Sequence, residues 1–315
     1  MNVALLPDRT AIEQAARRIA DHVRHTPILR LGAAEFGFPV VLKLELLQHT
    51  GSFKPRGAFN RMLAAQNASQ LPPAGVIAAS GGNHGAAVAY AARSLGIAAE
   101  IFVPEPTPLA KRTRIESYGA RLIRGGASYA EALDASRLRA AETGALEVHA
   151  YDHPAVLAGQ GTTAREFEAD APELTDILVA TGGGGLIGGM AAWYAGRSRI
   201  ISVEPAACPA LHDALQAGAP VDAAVGGLAA DALGARRVGA LMFGVAQAYV
   251  SQAVLVPDDA IRAAQRRLWD LFHLVAEPGG ATALAAILCG AWVPAEGARV
   301  GVLVCGSNTD PSSVQ

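Results

Sequence analysis

The amino-acid sequence predicts an α/β protein whose largely parallel sheets are covered by helices on both faces. Short apolar runs alternate along the chain with alanine-rich stretches of helical pattern, as in proteins whose parallel strands are joined by helices. The chain has 315 residues, of which 51% are hydrophobic and 17% charged. That composition supplies a sizeable core and excludes a disordered chain.

The individual elements follow in chain order. Thr10 and Glu13 have the spacing of a capping box, which predicts that a first helix opens at Thr10. Between residues 40 and 46, leucines alternate with Lys43 and Glu45, which predicts a strand. Short apolar runs predict the other strands at residues 75–79, 98–103, 120–124, 176–180, 199–203, 252–256 and 299–304.

Charge and composition narrow the possible partners and compartments. The formal charge is −2, with 26 basic and 28 acidic residues and no basic block, so we expect a small-molecule partner rather than nucleic acid or a membrane. The N-terminus lacks the pattern of a signal peptide. The most apolar long window, residues 274–293, contains Glu277 and Pro278, which suits a turn and a buried helix better than a membrane span. Three widely spaced cysteines suit a reducing compartment, so we expect a soluble cytoplasmic protein.

Lys54 is the first candidate catalytic residue. Only three of the 26 basic residues are lysines, so arginine is used for most surface cations and a retained lysine suggests a need for its amine. Pro55 suits the first position of a helix, so Lys54 would lie at a helix N-terminus, where the helix dipole lowers the pKa of its amine. Such an amine suits nucleophilic or Schiff-base chemistry. A solvated lysine beside a turn is the alternative.

Two glycine-rich segments each follow a predicted strand and open a predicted helix. Residues 80–84 read Ser-Gly-Gly-Asn-His, and residues 182–185 are four consecutive glycines. Backbone N–H groups at a helix N-terminus bind anions, so a carboxylate or a phosphate would fit either segment. The second segment also matches the dinucleotide pattern G-x-G-x-x-G, with Glu204 following at the expected distance. Taken alone, the first segment is also interpreted as a glycine-rich turn with a capping serine.

Glu277 and Cys305 lie in two further segments near the C-terminus. Glu277 precedes Pro-Gly-Gly-Ala at a predicted helix start, and Cys305 ends the last predicted strand. Taken alone, Cys305 is interpreted equally well as a small buried apolar residue, and Glu277 as a charge near a helix start.

Together these segments resemble a known family. Ser-Phe-Lys-Pro-Arg-Gly-Ala at 52–58, the segment at 80–84, the four glycines, Glu-Pro-Gly-Gly-Ala at 277–281 and Cys-Gly-Ser-Asn at 305–308 occur in this order. In this combination the chain resembles the serine/threonine dehydratases, pyridoxal 5'-phosphate (PLP) enzymes of fold type II that also include serine racemases. The resemblance implies two open, twisted, mainly parallel sheets flanked by helices, with PLP in the cleft between two domains.

The resemblance also implies roles at matching positions. Lys54 matches the catalytic lysine that holds PLP through an imine. The other positions that match contacts of the cofactor are Phe53, Asn83, Gly182, Gly183, Gly184, Gly185, Leu186, Glu277 and Cys305. Within this set the glycines and Leu186 match the phosphate cup, and Cys305 matches the partner of the pyridine nitrogen. The loop that holds the substrate carboxylate is matched by Ser80, Gly81, Asn83 and His84.

The implied reaction is elimination of water from a β-hydroxy amino acid to give a 2-oxo acid and ammonia. L-threonine, L-serine or a bulkier substrate such as phenylserine would suit it. Gly81 replaces a serine that racemases of the family use as an acid/base, so we expect weak racemisation. Metal-dependent relatives have a second carboxylate a few residues after the position of Glu204, and residues 205–210 contain none, so no metal site is expected.

Three alternatives remain open: an amino-acid racemase of the same family, an NAD-dependent dehydrogenase, and a non-catalytic amino-acid-binding protein. The region of Tyr129 or residues 226–228 could select the substrate side chain. We expect a large PLP-binding domain of residues 1–66 plus 151–315, a small domain of residues 67–150 that carries the carboxylate loop, and a homodimer as the family implies. Because the sequence ends ten residues after Cys305, we expect no regulatory domain and therefore a degradative role.

Overall fold

The computed structural model describes residues 6–314, in which the strands form two separate sheets. The strands are β1 (Ile28–Leu31), β2 (Val40–Lys43), β3 (Val76–Ala79), β4 (Ala99–Val103), β5 (Arg121–Arg124), β6 (Leu146–Glu147), β7 (Asp176–Ala180), β8 (Arg199–Pro205), β9 (Val250–Val256) and β10 (Val300–Leu303).

Helices connect most of these strands. They are α1 (Arg9–Ile19), α2 (Lys54–Asn67), α3 (Asn83–Ser94), α4 (Leu109–Ser117), α5 (Tyr129–Thr143), α6 (Pro154–Asp170), α7 (Gly185–Tyr194), α8 (Ala210–Ala217), α9 (Ala230–Leu233), α10 (Ala240–Tyr249), α11 (Asp258–Phe272) and α12 (Pro278–Leu288). Short 3-10 turns occur at Glu45–Leu47, His49–Gly51 and Pro311–Val314. None of the helices within residues 6–314 combines the length and the apolar composition that crossing a membrane requires.

The larger sheet has six strands in the order β1-β2-β10-β7-β8-β9. Every neighbouring pair in it is parallel except β1 and β2, which are antiparallel. The smaller sheet has the order β5-β4-β3-β6 and is parallel throughout. The α/β prediction is therefore confirmed. The strands of the smaller sheet all come from the segment between residues 76 and 147, and the domain boundaries stay a prediction.

Separate apolar cores accompany the two sheets. In the larger core, Leu42, Leu178 and Val302 from neighbouring strands are fully buried. A second core combines Val76 of β3 with Met62 of α2 and with residues of α3. Helix α2 therefore runs from the strands of the large sheet into the core of the small one, which gives its first residue, Lys54, a position between the two sheets.

The predicted strand boundaries agree with the structure within two residues at each end for the seven runs from residue 75 onward. Strands β1 and β6 were not predicted, because β1 has only one buried residue and β6 is two half-buried residues long. The prediction that Thr10 opens the first helix is wrong. Asp8 caps the helix instead, since its carboxylate accepts a hydrogen bond of 2.7 Å from the backbone N–H of Ala11.

The predicted strand over residues 40–46 is only partly correct. Strand β2 ends at Lys43, and a 3-10 turn begins at Glu45. Lys43 and Glu45 are both fully buried. Their side chains are stabilised by opposite charges on α2 and α6 rather than by water, with Lys43 Nζ lying 3.1 Å from Glu166 and the Glu45 carboxylate 2.7 Å from Arg56.

Candidate active site

A cleft between the two sheets brings together most of the predicted site residues. Lys54 opens α2, which follows β2 after two short 3-10 turns, and Cys305 follows β10. Ligands of open α/β sheets bind beyond the carboxyl ends of the strands, and the cleft lies at those ends. The residues that line it are Phe53, Lys54, Asn83, Tyr151, Ala180, Thr181, Gly182, Gly183, Gly184, Gly185, Leu186, Ile187, Ala232, Leu233, Glu277, Gly279 and Cys305.

Lys54 presents a half-buried amine to this cleft. Its Nζ donates a hydrogen bond of 3.1 Å to the backbone oxygen of Ala150 and lies 5.1 Å from the centre of the Phe53 ring. Burial lowers the pKa of Lys54 to about 8, although Cys305 and Glu277 raise it in part. From the sequence, the helix dipole is expected to lower the pKa of Lys54, whereas the main cause in the structure is burial. A substantial fraction of the amine is therefore neutral near pH 8.

Cys305 lies beside the first turn of α2, because the backbone N–H of Phe53 donates to the carbonyl of Cys305 at 3.3 Å. Its thiol is buried and lies 3.4 Å from the backbone oxygen of Gly279. Burial and the neighbouring Glu277 carboxylate raise the pKa of this thiol. Cys305 is therefore a neutral thiol at physiological pH.

Glu277 and Asn83 connect the two sides of the cleft. Glu277 precedes α12 and is buried, and its Oε1 accepts a hydrogen bond of 2.6 Å from Nδ2 of Asn83, the first residue of α3. Asn308 donates to Oδ1 of Asn83 at 2.5 Å, so the Asn83 amide is oriented from both ends. Burial raises the pKa of Glu277 to about 7, partly opposed by the Asn83 hydrogen bond.

The four glycines form a tight turn between β7 and α7. Gly184 has a φ of +91°, which glycine adopts without strain. A Cβ on Gly183 would lie 2.5 Å from the ring of Tyr151, and a Cβ on Gly182 would lie 2.9 Å from the backbone of Leu233. The first N–H groups of α7 have no partner within the helix. Together they make a site for an anionic group at the helix N-terminus.

The segment 80–84 lies at the N-terminus of α3, opposite the glycine loop. Ser80 Oγ accepts a hydrogen bond of 3.2 Å from the backbone N–H of Gly82. His84 is buried, and its Nε2 donates to the backbone oxygen of Val148 at 2.7 Å. Burial lowers the pKa of His84 to about 3, so the imidazole is neutral. Since its Nε2 is engaged with the Val148 carbonyl, the remaining donors of this segment are backbone N–H groups, the Ser80 hydroxyl and the Asn83 amide.

The structure places the predicted site residues in two groups. Those that line the cleft are Phe53, Lys54, Asn83, Gly182, Gly183, Gly184, Gly185, Leu186, Glu277 and Cys305. Three predicted residues lie just outside the lining. Ser80 and Gly81 lie on the turn that leads to Asn83, and His84 follows Asn83 in the first turn of α3. Seven lining residues were not predicted as site residues. Four of them, Ala180, Thr181, Ile187 and Gly279, flank or belong to the glycine-rich segments, and the other three are Tyr151, Ala232 and Leu233. Tyr151, Ala232 and Leu233 belong to no glycine-rich or charged motif, and only the spatial approach of their segments reveals them.

Glu204, the acid that fitted a dinucleotide pattern, has another function in the structure. Its carboxylate accepts the backbone N–H groups of Leu211 at 2.7 Å and His212 at 2.8 Å, at the start of α8. It is fully buried, and burial raises its pKa to about 8. Both oxygens are thus engaged in capping a helix. In the described part of the chain, no group of three or more His, Cys, Asp or Glu side chains is arranged to hold a metal ion.

The groups of the cleft fit PLP. The Lys54 amine, whose acceptor among residues 6–314 is the carbonyl of Ala150, faces the cleft, and such an amine can form an imine with an aldehyde. A glycine turn at a helix N-terminus suits a phosphate. A buried thiol and a carboxyl that hydrogen-bonds an amide lie on the remaining wall and could contact a polar aromatic ring.

Comparison with known proteins agrees with this fit. The family described as "Pyridoxal-phosphate dependent enzyme" matches residues 19–306. The chain is 37% identical to the L-threonine ammonia-lyase of Geobacter sulfurreducens over 97% of its own length and 76% of that protein. It is 35% identical to the phenylserine dehydratase of Ralstonia pickettii, covering 99% and 97% of the two chains.

A solved structure shows the same fold. The maize serine racemase superposes with a TM-score of 0.90 at 33% identity, covering 98% of this chain and 95% of the other. The expected arrangement of a fold type II PLP enzyme is therefore confirmed. The chain belongs to the family of pyridoxal-phosphate-dependent enzymes, and its cofactor is pyridoxal 5'-phosphate.

Proposed function

We propose that the protein is a PLP-dependent ammonia-lyase that eliminates water from a β-hydroxy amino acid. The products are a 2-oxo acid and ammonia, so that L-threonine gives 2-oxobutyrate. The names of two relatives that match nearly the whole chain, L-threonine ammonia-lyase and phenylserine dehydratase, support this reaction. The observation on which the proposal chiefly rests is the amine of Lys54, which faces the cleft with a pKa lowered to about 8.

Lys54 acts as the base in this proposal. A neutral amine at Nζ accepts the proton from Cα of the substrate, and its lowered pKa keeps that form populated near neutral pH. PLP, when bound, supplies an electron sink for the negative charge that develops at Cα. In the cofactor-free chain, the hydrogen bond to the Ala150 carbonyl holds the amine at the edge of the cleft.

Three further groups complete the proposed site. The Ser80 hydroxyl and the first N–H groups of α3 bind the substrate carboxylate, which suits a helix N-terminus. Asn83, oriented by Glu277 and Asn308, contacts the cofactor ring. Cys305 stays a neutral thiol because its pKa is raised, so it does not favour a full positive charge on the ring nitrogen. That neutrality favours elimination over transamination.

Racemisation is the second candidate, since a structural neighbour is a serine racemase. Gly81 has no side chain with which to protonate the opposite face of Cα. A Cβ at this position would lie 2.9 Å from the side chain of Thr107, so the space for a serine there is already filled. We therefore propose weak racemisation, and formation of equal amounts of D-serine and L-serine from L-serine would contradict this.

The dehydrogenase alternative loses its main support, because Glu204 caps α8 and does not face the glycine loop. A binding protein without catalysis would not need a lysine with a lowered pKa in the cleft. The lyase reading accounts for both features.

A substrate panel tests the proposal. The purified holoenzyme is incubated with L-threonine, L-serine and threo-3-phenylserine, and release of 2-oxo acid and ammonia is measured. Lys54→Ala should lose turnover completely, whereas Lys111→Arg, which keeps a cation beside Asp231, should not. Absence of 2-oxo acid with every substrate would overturn the proposed reaction.

We also propose that the enzyme is a cytoplasmic homodimer. Three free cysteines, Cys208, Cys289 and Cys305, support a reducing compartment. The family resemblance supports the dimer. Light scattering of the purified protein at micromolar concentration should give twice the chain mass of 32.3 kDa, and a monomeric mass would contradict the dimer.

A further inference from the structure

One wall of the cleft has no role in the proposed function. It consists of Tyr151, Ala232 and Leu233, which we call the apolar wall. The wall begins directly beside the catalytic amine, because Lys54 Nζ donates to the carbonyl of Ala150, the residue before Tyr151. Any substituent that Cα of a substrate directs toward this side therefore meets the apolar wall.

Tyr151 is held in place from several directions. Its hydroxyl donates to the backbone oxygen of Arg237 at 3.3 Å, and its backbone N–H donates to Nδ1 of His149 at 3.2 Å. The ring packs on Gly183, where a Cβ would lie only 2.5 Å from two ring carbons. The next residue, Asp152, caps α10 by accepting the backbone N–H groups of Ala240 and Leu241 at 3.1 and 3.0 Å. The ring is thus a fixed surface.

Ala232 and Leu233 in α9 continue this surface. Leu233 is buried against Gly182, and Ala232 lies so close to Gly279 that a Cβ on the glycine would be 2.6 Å from the alanine methyl. These contacts hold α9 over the glycine loop. Ala232 itself is exposed, so it lies at the mouth of the cleft.

The apolar wall offers hydrocarbon and no charge. Across the described residues, the charged side chains that line the cleft are Lys54 and Glu277. The hydroxyl of Tyr151 is occupied by the Arg237 carbonyl. A carboxylate on the substrate side chain would therefore lose its hydration without gaining a cation in return, which is costly.

The positions of the four substituents on the substrate Cα show which of them contacts the apolar wall. In the proposed function, the carboxylate lies at the start of α3, the amino group lies at the cofactor, and the hydrogen faces Lys54. The remaining substituent is the one that carries the β-hydroxyl. Resting on that proposed function, we infer that Tyr151, Ala232 and Leu233 bind the β-substituent and select substrates in which it is a hydrocarbon. The methyl of threonine is preferred to the β-hydrogen of serine, and a β-carboxylate is rejected.

The first test measures binding without turnover. Equilibrium dialysis of the holoenzyme with L-2-aminobutyrate, L-alanine and L-aspartate compares a methyl, a hydrogen and a carboxylate at Cβ, all without a leaving hydroxyl. We expect L-2-aminobutyrate to bind about 10-fold or more tightly than L-alanine, since one methyl group in an apolar pocket is worth about that much. L-aspartate should bind more weakly than L-alanine. Equal binding of L-alanine and L-2-aminobutyrate, or tighter binding of L-aspartate, would overturn the inference.

Two variants locate the effect. Tyr151→Phe keeps the ring and should keep the preference for L-2-aminobutyrate, whereas Tyr151→Ala should reduce that preference at least 3-fold. Ala232→Lys adds a cation at an exposed position, where folding should tolerate it, and should tighten L-aspartate binding. Tyr249→Ala, a tyrosine 39% exposed at the end of α10, is the matched control and should leave all three dissociation constants unchanged. If Tyr151→Ala leaves the preference for L-2-aminobutyrate unchanged and Ala232→Lys leaves the affinity for L-aspartate unchanged, the apolar wall does not bind the β-substituent.

Turnover then separates this inference from the proposed function. If the analogues bind in the expected order but no substrate yields a 2-oxo acid, the proposed reaction is wrong, and the inference that the apolar wall binds the β-substituent is retained. If L-serine is deaminated with a kcat/KM equal to or above that of L-threonine, the proposed reaction is retained, and the inferred selection by the apolar wall is wrong.

Discussion

The three lysines of the chain occupy three different electrostatic environments. Lys43 is fully buried and lies 3.0 Å from Asp170, and Lys111 pairs with Asp231 at the surface. Lys54 is the lysine without a carboxylate at ion-pair distance among residues 6–314, and burial lowers its pKa to about 8. The scarcity of lysine pointed to Lys54, but it could not separate Lys54 from Lys43, whose amine has a structural function.

Glu277 gives a prediction at the scale of a single residue. Burial raises its pKa from 4.5 to about 7 in the folded protein, so the folded state binds a proton more tightly than the unfolded state does. The stabilisation is fully present below pH 4.5 and is lost as the pH rises to about 7. The full shift corresponds to about 3 kcal/mol.

Urea unfolding of the cofactor-free protein checks this prediction. We expect the unfolding free energy of the wild type, relative to Glu277→Gln, to fall by up to about 3 kcal/mol between pH 4.5 and 7.5. The other titrating groups are common to both proteins and cancel in the difference. A difference that does not change with pH would show that Glu277 titrates normally.

Sequence patterns identified the site residues unevenly. Lys54, the four glycines, Asn83, Glu277 and Cys305 lie in distinctive motifs, and all of them line the cleft. Tyr151, Ala232 and Leu233 do so because distant segments approach each other, which no local pattern records. Neither Tyr129 nor residues 226–228, the candidates from sequence for side-chain selection, belongs to the lining.

At the scale of elements, the crossing of α2 and α6 determines where Lys54 lies. A Cβ on Gly159 of α6 would lie 2.5 Å from the backbone oxygen of Arg56 and 2.7 Å from Cα of Gly57. Farther along α2, the Asn60 amide donates to the carbonyl of Ala155 at 2.6 Å. The two helices therefore pack with their backbones almost in contact, and Ala150, the acceptor of the Lys54 amine, lies just before α6.

Gly159→Ala tests this contact. In the interior of an ordinary helix, glycine to alanine stabilises by about 1 kcal/mol. Here the added methyl group meets backbone, so we expect the unfolding free energy to fall by about 1–3 kcal/mol instead. Gly125→Ala, where a Cβ would meet nothing within 4 Å, is the control and should change the unfolding free energy by less than about 0.5 kcal/mol. A stabilised Gly159→Ala variant would contradict the close crossing.

Arg56 stabilises the same crossing of α2 and α6 through buried ion pairs. Its buried guanidinium makes paired hydrogen bonds to Glu45 and to Glu166, all between 2.7 and 2.8 Å. Removing one partner of a buried ion pair leaves a charge without compensation, at a cost of about 3–5 kcal/mol, whereas apolar replacement of both partners costs little.

This difference is measurable by urea unfolding. We expect Arg56→Met to lose about 3–5 kcal/mol of unfolding free energy, and Arg56→Met combined with Glu45→Met to recover at least half of that loss. Glu166 keeps Lys43 as its partner in the double variant. A double variant as unstable as the sum of its two single variants would refute the pairing.

The same cluster explains where strand prediction failed. Alternation of leucine with Lys43 and Glu45 resembles a strand with one face in water. In the structure both charged residues are buried because Arg56, Glu166 and Asp170 surround them. Periodicity shows which residues are polar, but it does not show which distant charged residues will pair with them.

On the scale of the whole molecule, the reactive groups converge because both sheets direct the carboxyl ends of parallel strands to one cleft. The glycine loop follows β7 and Cys305 follows β10, both in the larger sheet, whereas Asn83 follows β3 in the smaller sheet. Alternating strands and helices predicted largely parallel sheets with covered faces, whereas the cleft between two sheets was expected from the family resemblance. The domain boundaries depend on which residues of α2 pack against each of the two sheets. No sequence pattern predicts that division.

The most direct measurement asks which lysine carries the cofactor. The purified holoenzyme is reduced with borohydride, digested and analysed by mass spectrometry, with Lys54→Ala as the control. The phosphopyridoxyl group should be found on the peptide that contains Lys54, and the variant should carry none. A label on Lys43 or Lys111, or an unlabelled Lys54 in protein that has bound PLP, would contradict the account.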